Sequence, residues 1–111
     1  MKKIYISGQI TGLAPVDALD NFDIAAYQCV EMFLLFRKHI VNPLDLKPFL
    51  GIKCWLCYMI TDVYYLRKCT HIAMQKNWIN SKGAVIEYFI AKFILKLEVI
   101  WLWNFEPVTQ T

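Results

Sequence analysis

Between Lys3 and Leu102, short runs of apolar β-formers alternate with longer stretches whose apolar residues recur every three or four positions. The first kind predicts buried strands and the second predicts helices with one packed face. Lys3–Ser7 reads as a short strand, followed by a loop over Gly8–Asp20 with two glycines and a proline. Asp20 or Asn21 is suited to cap a helix with Asp23 in its first turn. Phe22, Ala26, Cys29, Phe33 and Phe36 then mark one face of that helix. His39–Asn42 reads as a second strand, stopped by Pro43, and residues 43–53 as a loop. A second helix is expected over Cys54–Lys68, its face carrying Trp55, Met59, Asp62 and Leu66, with Arg67 and Lys68 suited to its C-terminal end. Thr70–Met74 reads as a third strand and Asn77–Asn80 as a turn. Ser81 is a good cap for a third helix running to about Ile94, and Leu97–Leu102 reads as a fourth strand before a short polar tail from Asn104.

Strands that alternate with helices imply a parallel sheet joined by right-handed crossovers. The expected architecture is an α/β fold, a Rossmann/flavodoxin-like three-layer sandwich with a four- to five-stranded parallel sheet, built as one domain over residues 1–111. Ligands of such sheets sit at the carboxyl ends of the strands. That rule points to Ser7–Gly12, to Asn42 and Pro43, to the stretch around Gln75–Ser81 and to the end of the fourth strand.

Composition changes the picture in one respect. Hydrophobic residues make up 58% of the chain and mean hydropathy is +0.37, which suits either a membrane protein or a sheet covered on both faces. The apolar segment Val85–Trp103 is interrupted by Glu87, Lys92, Lys96 and Glu98, and Cys54–Leu66 is short and carries Asp62. Neither offers the roughly 20 clean apolar residues of a spanning helix, so no membrane partner is expected. Met1-Lys2-Lys3 leads into only three apolar residues, too few for a signal peptide, which makes the cytoplasm the expected location. A net charge of +3 from scattered residues gives no nucleic-acid footprint. Cys54 and Cys57 have CxxC spacing, but Cys29, Cys69, His39 and His71 supply no matching pair for zinc. Reduced, buried thiols are the favoured reading, and neither metal nor cofactor is expected. So much apolar surface is hard to hide within 111 residues, which argues for a homo-oligomer.

Two acids stand in apolar stripes. Asp62 falls seven positions after Trp55 and four before Leu66, and Glu87 falls three after Ala84 and four before Ala91. A carboxylate on a buried face is costly unless it is paired or lines a wet cavity. A pocket built on two acids is one reading; a buried ion pair at each, or a helical phase displaced by one residue, is the other. The Ser7-Gly-Gln-Ile-Thr-Gly12 turn lacks the following Gly-Lys-Ser/Thr of a phosphate loop and does not match GxGxxG. Its glycines nonetheless allow backbone to approach a ligand.

Taken in order, Tyr5-Ile-Ser-Gly-Gln-Ile-Thr-Gly12, Tyr58-Met-Ile-Thr-Asp62 and Ser81-Lys-Gly-Ala-Val-Ile-Glu87 with Ala91 resemble the nucleoside 2-deoxyribosyltransferase-like family. The likeness runs from Lys3 to about Trp101, and the Asp62–Glu87 spacing of 25 positions is close to that of the deoxynucleotide N-hydrolase branch. The resemblance implies an N-glycosidic hydrolase or deoxyribosyltransferase acting on a nucleoside or nucleotide. Glu87 would be the nucleophile at the anomeric carbon, Asp62 would serve proton transfer at the leaving base, and Tyr5 would contact the sugar or the nucleophile. Backbone around Gly8 and Gly12 and the hydroxyl of Ser81 would hold the sugar or a 5′-phosphate, and Ser7, Gln9, Ile10, Asn42 and Gly83 would also bind the substrate. Met59 and Trp78, with Trp55, would wall the base, although core packing explains those three equally well. Relatives assemble as dimers or larger oligomers. Gln9 stands where the hydrolase branch has a small hydroxyl residue against the phosphate, which leaves 5′-phosphate recognition open. Relatives also end their first and third helices with glycine, and this chain has none near Arg37–His39 or Leu95–Leu97. The alternative expectation is a non-catalytic protein that binds a nucleotide or nucleoside derivative.

Overall fold

The structure, a computed structural model, describes residues 3–10, 12–33, 37–46 and 55–102. Thr11, Phe36, Cys54, the loop stretch 47–53 and the tail from Asn104 lie outside the described residues. The elements run β1 (Ile4–Ser7), α1 (Pro15–Phe33), β2 (Ile40–Val41), α2 (Trp55–Leu66), β3 (His71–Gln75), α3 (Lys82–Phe89) and β4 (Glu98–Leu102). The four strands form one parallel sheet in the order β2-β1-β3-β4. It is the α/β sandwich expected of alternating strands and helices.

Alternation along the strands divides the core in two. Ile4, Ile6 and Ala73 turn to one face, where they bury Phe22, Ala25, Ala26 and Cys29 of α1. Tyr5, Ile72 and Met74 turn to the other face, packed with Leu66 of α2 and with Ala91 just beyond α3. Each fully buried Ile, Leu or Phe contributes about 1.5–3 kcal/mol through removal of its surface from water. Because both faces are covered, β1 and β3 are buried at every position, and this is where much of the high hydrophobic content goes.

Several boundaries differ from the sequence expectation. Helix α1 begins at Pro15, five positions before Asp20, and Asn21 is buried inside it instead of capping it. Pro15 has no N–H to satisfy and its fixed φ suits the first helical position, so no side-chain cap is needed. The Ala14 carbonyl accepts the first helical N–H groups, from Asp17 at 3.0 Å and Ala18 at 3.1 Å. Helix α2 closes at Leu66, with Arg67 and Lys68 in the turn that follows. In α2, Met59, Asp62 and Leu66 are buried as the stripe implied, but Trp55, in the first turn, stays 47% exposed. Strand β3 continues one residue past the apolar run, to Gln75. His39 belongs to a single 3-10 turn before β2, and Asn42 caps another after it, its Oδ1 accepting from Leu44 N at 3.0 Å.

The end of the third helix shows how the chain manages without glycine. After Phe89 the backbone widens into a π turn over Ile90–Ile94, and the N–H of Leu97 reaches back to the Ala91 carbonyl at 2.8 Å. To close that turn Lys96 adopts φ 57, the left-handed conformation that favours glycine. Lys96→Gly is therefore expected to stabilise the fold by about 0.5–1 kcal/mol, the strain removed exceeding the extra entropy of an unfolded glycine. A thermal melt checks it; a lower midpoint for Lys96→Gly refutes the strain argument.

Candidate functional site

The site is assembled at the carboxyl ends of the strands, from residues that period-two and period-3.6 spacing place on one side of the sheet. Tyr5 and Ser7, two apart on β1, both face α2 and α3. Ser81 fixes the phase of α3: its Oγ accepts from Ala84 N at 3.2 Å, and the next turns bring Ala84 and Glu87 inward. Gly83 lets this first turn approach α2, since a Cβ there would lie 3.3 Å from Met59 Sδ and 3.8 Å from Trp55 Nε1.

Glu87 is held by two hydroxyls from β1. Tyr5 donates to Oε2 at 2.5 Å and Ser7 donates to Oε1 at 2.7 Å. Tyr5 and Ser7 are fully buried and Glu87 is 4% exposed. Asp62 comes in from α2 and shares hydrogen bonding with both Glu87 and Tyr5. Burial pushes the Glu87 carboxyl up to about 8, reinforced by the charge of Asp62 and opposed by the hydroxyls of Tyr5 and Ser7. Burial likewise raises Asp62 to about 6, opposed by its hydrogen bonds to Glu87 and Tyr5. Desolvation, with the two acids beside it, raises the Tyr5 phenol well above its usual range, so it remains a donor. Two carboxyls this close titrate as a pair and retain one proton between them near neutrality. Burial holds that proton on Glu87 in the free protein, and the two hydroxyl donors, by favouring the ionised Glu87, ease its passage to Asp62.

The acids form part of the wall of a cavity of about 870 Å³, within the range of small-molecule sites. One wall is apolar, made by Ile10, Phe22, Pro43, Leu44 and Leu46. The other is α2, with Trp55, Tyr58 and Met59 leading to Asp62. Asn80, Ser81, Lys82 and Gly83 at the start of α3 complete the lining, and Lys82 Nζ stands 5.4 Å over the Trp55 ring.

Residues 2–101 match a family described as a domain of unknown function, DUF4406. The chain belongs to the DUF4406 family. No match was found among curated proteins or among solved structures. The DUF4406 match begins before β1 and ends at Trp101 in β4, so every residue of the site lies within it.

Of the residues that sequence reasoning assigned to the site, the DUF4406 domain brings Gly8, Ile10, Met59, Asp62, Ser81, Gly83 and Glu87 to the cavity wall. Tyr5 and Ser7 stand behind Glu87, against its carboxylate. Gln9 and Asn42 are buried in the surrounding turns: Gln9 N donates to Asn77 Oδ1 at 3.2 Å, and Asn42 caps the turn that carries Pro43 and Leu44. Gly12 shapes the loop before α1 with φ 92. Trp78 is a correction. Its ring packs on Tyr88 and Trp101, with centroids 5.0 and 5.7 Å away, against the core that α2, β3 and the end of the third helix share. It therefore joins the core and does not line the cavity. Sequence reasoning missed Tyr58, four positions before Asp62 and so on the same helical face, and it missed Leu44 and Leu46, which the strand-end rule covers only loosely. It also passed over Lys82, Asn80 and Phe22.

Cys29 and Cys69 stay outside this chemistry. Burial raises Cys29 to about 12 and Cys69 to about 11, so neither is a nucleophile near neutral pH. Among the described residues no cluster of His, Cys, Asp and Glu could hold a metal ion, and no helix is long and apolar enough to cross a membrane.

Proposed function

We propose that this protein cleaves the N-glycosidic bond of a nucleoside or nucleotide, as a hydrolase or a deoxyribosyltransferase, through a covalent intermediate on Glu87. The observation that carries the reading is one carboxylate, deep in a ligand-sized cavity, oriented at both oxygens by hydroxyl donors and coupled to a second acid. In the first step a Glu87 oxygen bonds to the anomeric carbon and the bond to the base nitrogen breaks. The electron pair leaves with the base, which takes the proton of Asp62. In the second step water or an acceptor base attacks the anomeric carbon, Asp62 takes its proton, and Glu87 is released. Two such displacements retain configuration. Trp55, Tyr58 and Met59 lead to Asp62, so a base lying against them would meet its proton donor.

The test is a chromatographic assay for free base. The protein is incubated with nucleosides, deoxynucleosides and their 5′-monophosphates, with and without an acceptor base, beside a Glu87→Ala control. Base release that the control lacks supports the reading, and acceptor dependence separates transfer from hydrolysis. Release unchanged in Glu87→Ala, or no release at high protein concentration, sinks it. One observation favours a second reading, a non-catalytic nucleotide-binding module: a carboxyl raised to about 8 is largely protonated near neutrality and then has no nucleophilic oxygen.

The same reading places the protein in the cytoplasm as a homo-oligomer. Support for assembly comes from the outer surface of the third helix and its π turn, where Phe89, Phe93 and Ile94 are 53%, 60% and 71% exposed. Sedimentation is expected to give a mass at least twice 13.1 kDa, and a monomer at micromolar concentration counts against assembly.

A further inference from the structure

At the carboxyl end of β3, beside the end of β1, the last residue of the strand carries an amide with nothing to bond. Gln75 is fully buried, and neither its Oε1 nor its Nε2 has a hydrogen-bond partner. Two positions on, Nδ2 of buried Asn77 also lacks one, while its Oδ1 accepts the Gln9 N–H. A buried amide left unpaired forfeits the hydrogen bonds it would make to water, and folded proteins keep few such groups. Methionine would fill similar space with no polar atom to strand.

The neighbour of this amide is Gly8. A Cβ at position 8 would fall 2.5 Å from Gln75 Cδ and 2.6 Å from Nε2, so only glycine lets β1 end this close to it. Gly8 is also part of the cavity wall that includes Asp62 and Glu87. Gln75 thus stands one backbone layer behind that wall. It is on the α1 side of the sheet, in step with Ala73.

We propose that Gln75 recognises a hydroxyl of the sugar that Glu87 attacks, and that its amide is kept for the ligand and not for the fold. This rests on the glycosyl-cleavage reading. The chemistry favours a hydroxyl because an amide presents an acceptor beside donors, and a hydroxyl both donates and accepts. A phosphate oxygen only accepts and would leave Oε1 unpaired. When the anomeric carbon faces Glu87, the 3′- and 5′-hydroxyls are the groups on the far side of the ring. The bare Gly8 backbone is the part of the wall that shifts to admit the contact, an induced fit that any side chain at position 8 would obstruct.

The experiment compares the natural protein with Gln75→Met, and with Gln75→Leu as a second variant. The ligands are 2′-deoxynucleosides and their 3′-deoxy and 5′-deoxy analogues. Without ligand, Gln75→Met is expected to melt about 4 °C higher, having lost an unpaired amide. Its KM for a deoxynucleoside the natural protein uses is expected to rise about tenfold. The analogue missing the recognised hydroxyl should cost the natural protein a similar factor and the variant nothing further, and which analogue does so separates 3′ from 5′ recognition. The proposal is overturned if both variants melt lower without ligand, since the amide then serves the fold. It is also overturned if KM is unchanged, or if the losses from variant and analogue multiply. If the natural protein releases no base from any substrate, the glycosyl reading fails and thermal shift with the same compounds decides this inference separately. Stabilisation of the natural protein that Gln75→Met loses supports recognition by Gln75; equal stabilisation of both, or none of either, overturns it.

Discussion

Glu87→Ala is expected to lower the rate of base release by about three orders of magnitude or more, because covalent catalysis leaves no parallel route once its nucleophile is gone. Glu87→Gln should fall as far while keeping the volume of the side chain and one hydroxyl donation, the other hydroxyl turning to accept from the amide, so a folded, inactive Gln variant separates chemistry from packing. Asp62→Asn should lose about 10²–10⁴-fold, the usual contribution of a positioned proton donor, and less on substrates whose base leaves easily. The activity needs Glu87 ionised and Asp62 protonated, one proton on the pair. The rate is therefore expected to peak in the window from about 6 to about 8 that the two raised carboxyls define, falling on both sides. A small anion such as formate, placed in the space left by Glu87→Ala, should restore part of the rate. A Gln variant with activity near the natural level would end the nucleophile assignment outright.

Stability should fall as pH rises from about 4.5 to about 8, the reverse of the usual carboxylate effect. Glu87 and Asp62 ionise at higher pH in the folded protein, about 8 and about 6, than in an unfolded chain. Between the unfolded and folded values the native state holds more protons. Stability is therefore fully present at the acidic end and is lost as pH climbs through the folded values. For Glu87, which is almost wholly buried, the loss is about 4 kcal/mol, or about 15 °C in the melting midpoint of a domain this size. Glu87→Gln carries no ionisation and should flatten that slope, melting near the natural protein at pH 4.5 and well above it at pH 8. Parallel slopes for the two proteins would mean that Glu87 is not a buried acid in the folded chain. The pattern fits a site in which stability is given up to hold acids out of water.

Much of this arrangement was legible in the residues. The period of the apolar pattern determined four strands and three helices in alternation, and chirality and short connections then leave little besides a parallel α/β sandwich. The same spacing put Asp62 and Glu87 on inward faces, and Ser81 was legible as a helix cap because its Oγ acts within its own turn. Gly8 could be read as a point of close approach, though not what approaches it. Where local signals competed the reading slipped. Asp20, Asn21 and Asp23 look like a helix start, yet Pro15 starts the helix without a cap, and Asn21 is buried in its second turn.

What only the tertiary structure decided concerns partners far apart in the chain. Tyr5 and Ser7 meet Glu87 across separations of 82 and 80 positions, and no local period encodes such a contact. The strand order β2-β1-β3-β4 decides it, by setting the end of β1 under the start of α3. Trp78 had the composition of a site residue, but its turn sends it to Tyr88 and Trp101, because an aromatic ring gains as much by burial in a core as by facing a ligand. Gln75 had the composition of a surface residue and lies fully buried. Apolar periodicity reports which faces are dry; which polar groups are buried with them, and against what, depends on how the layers close.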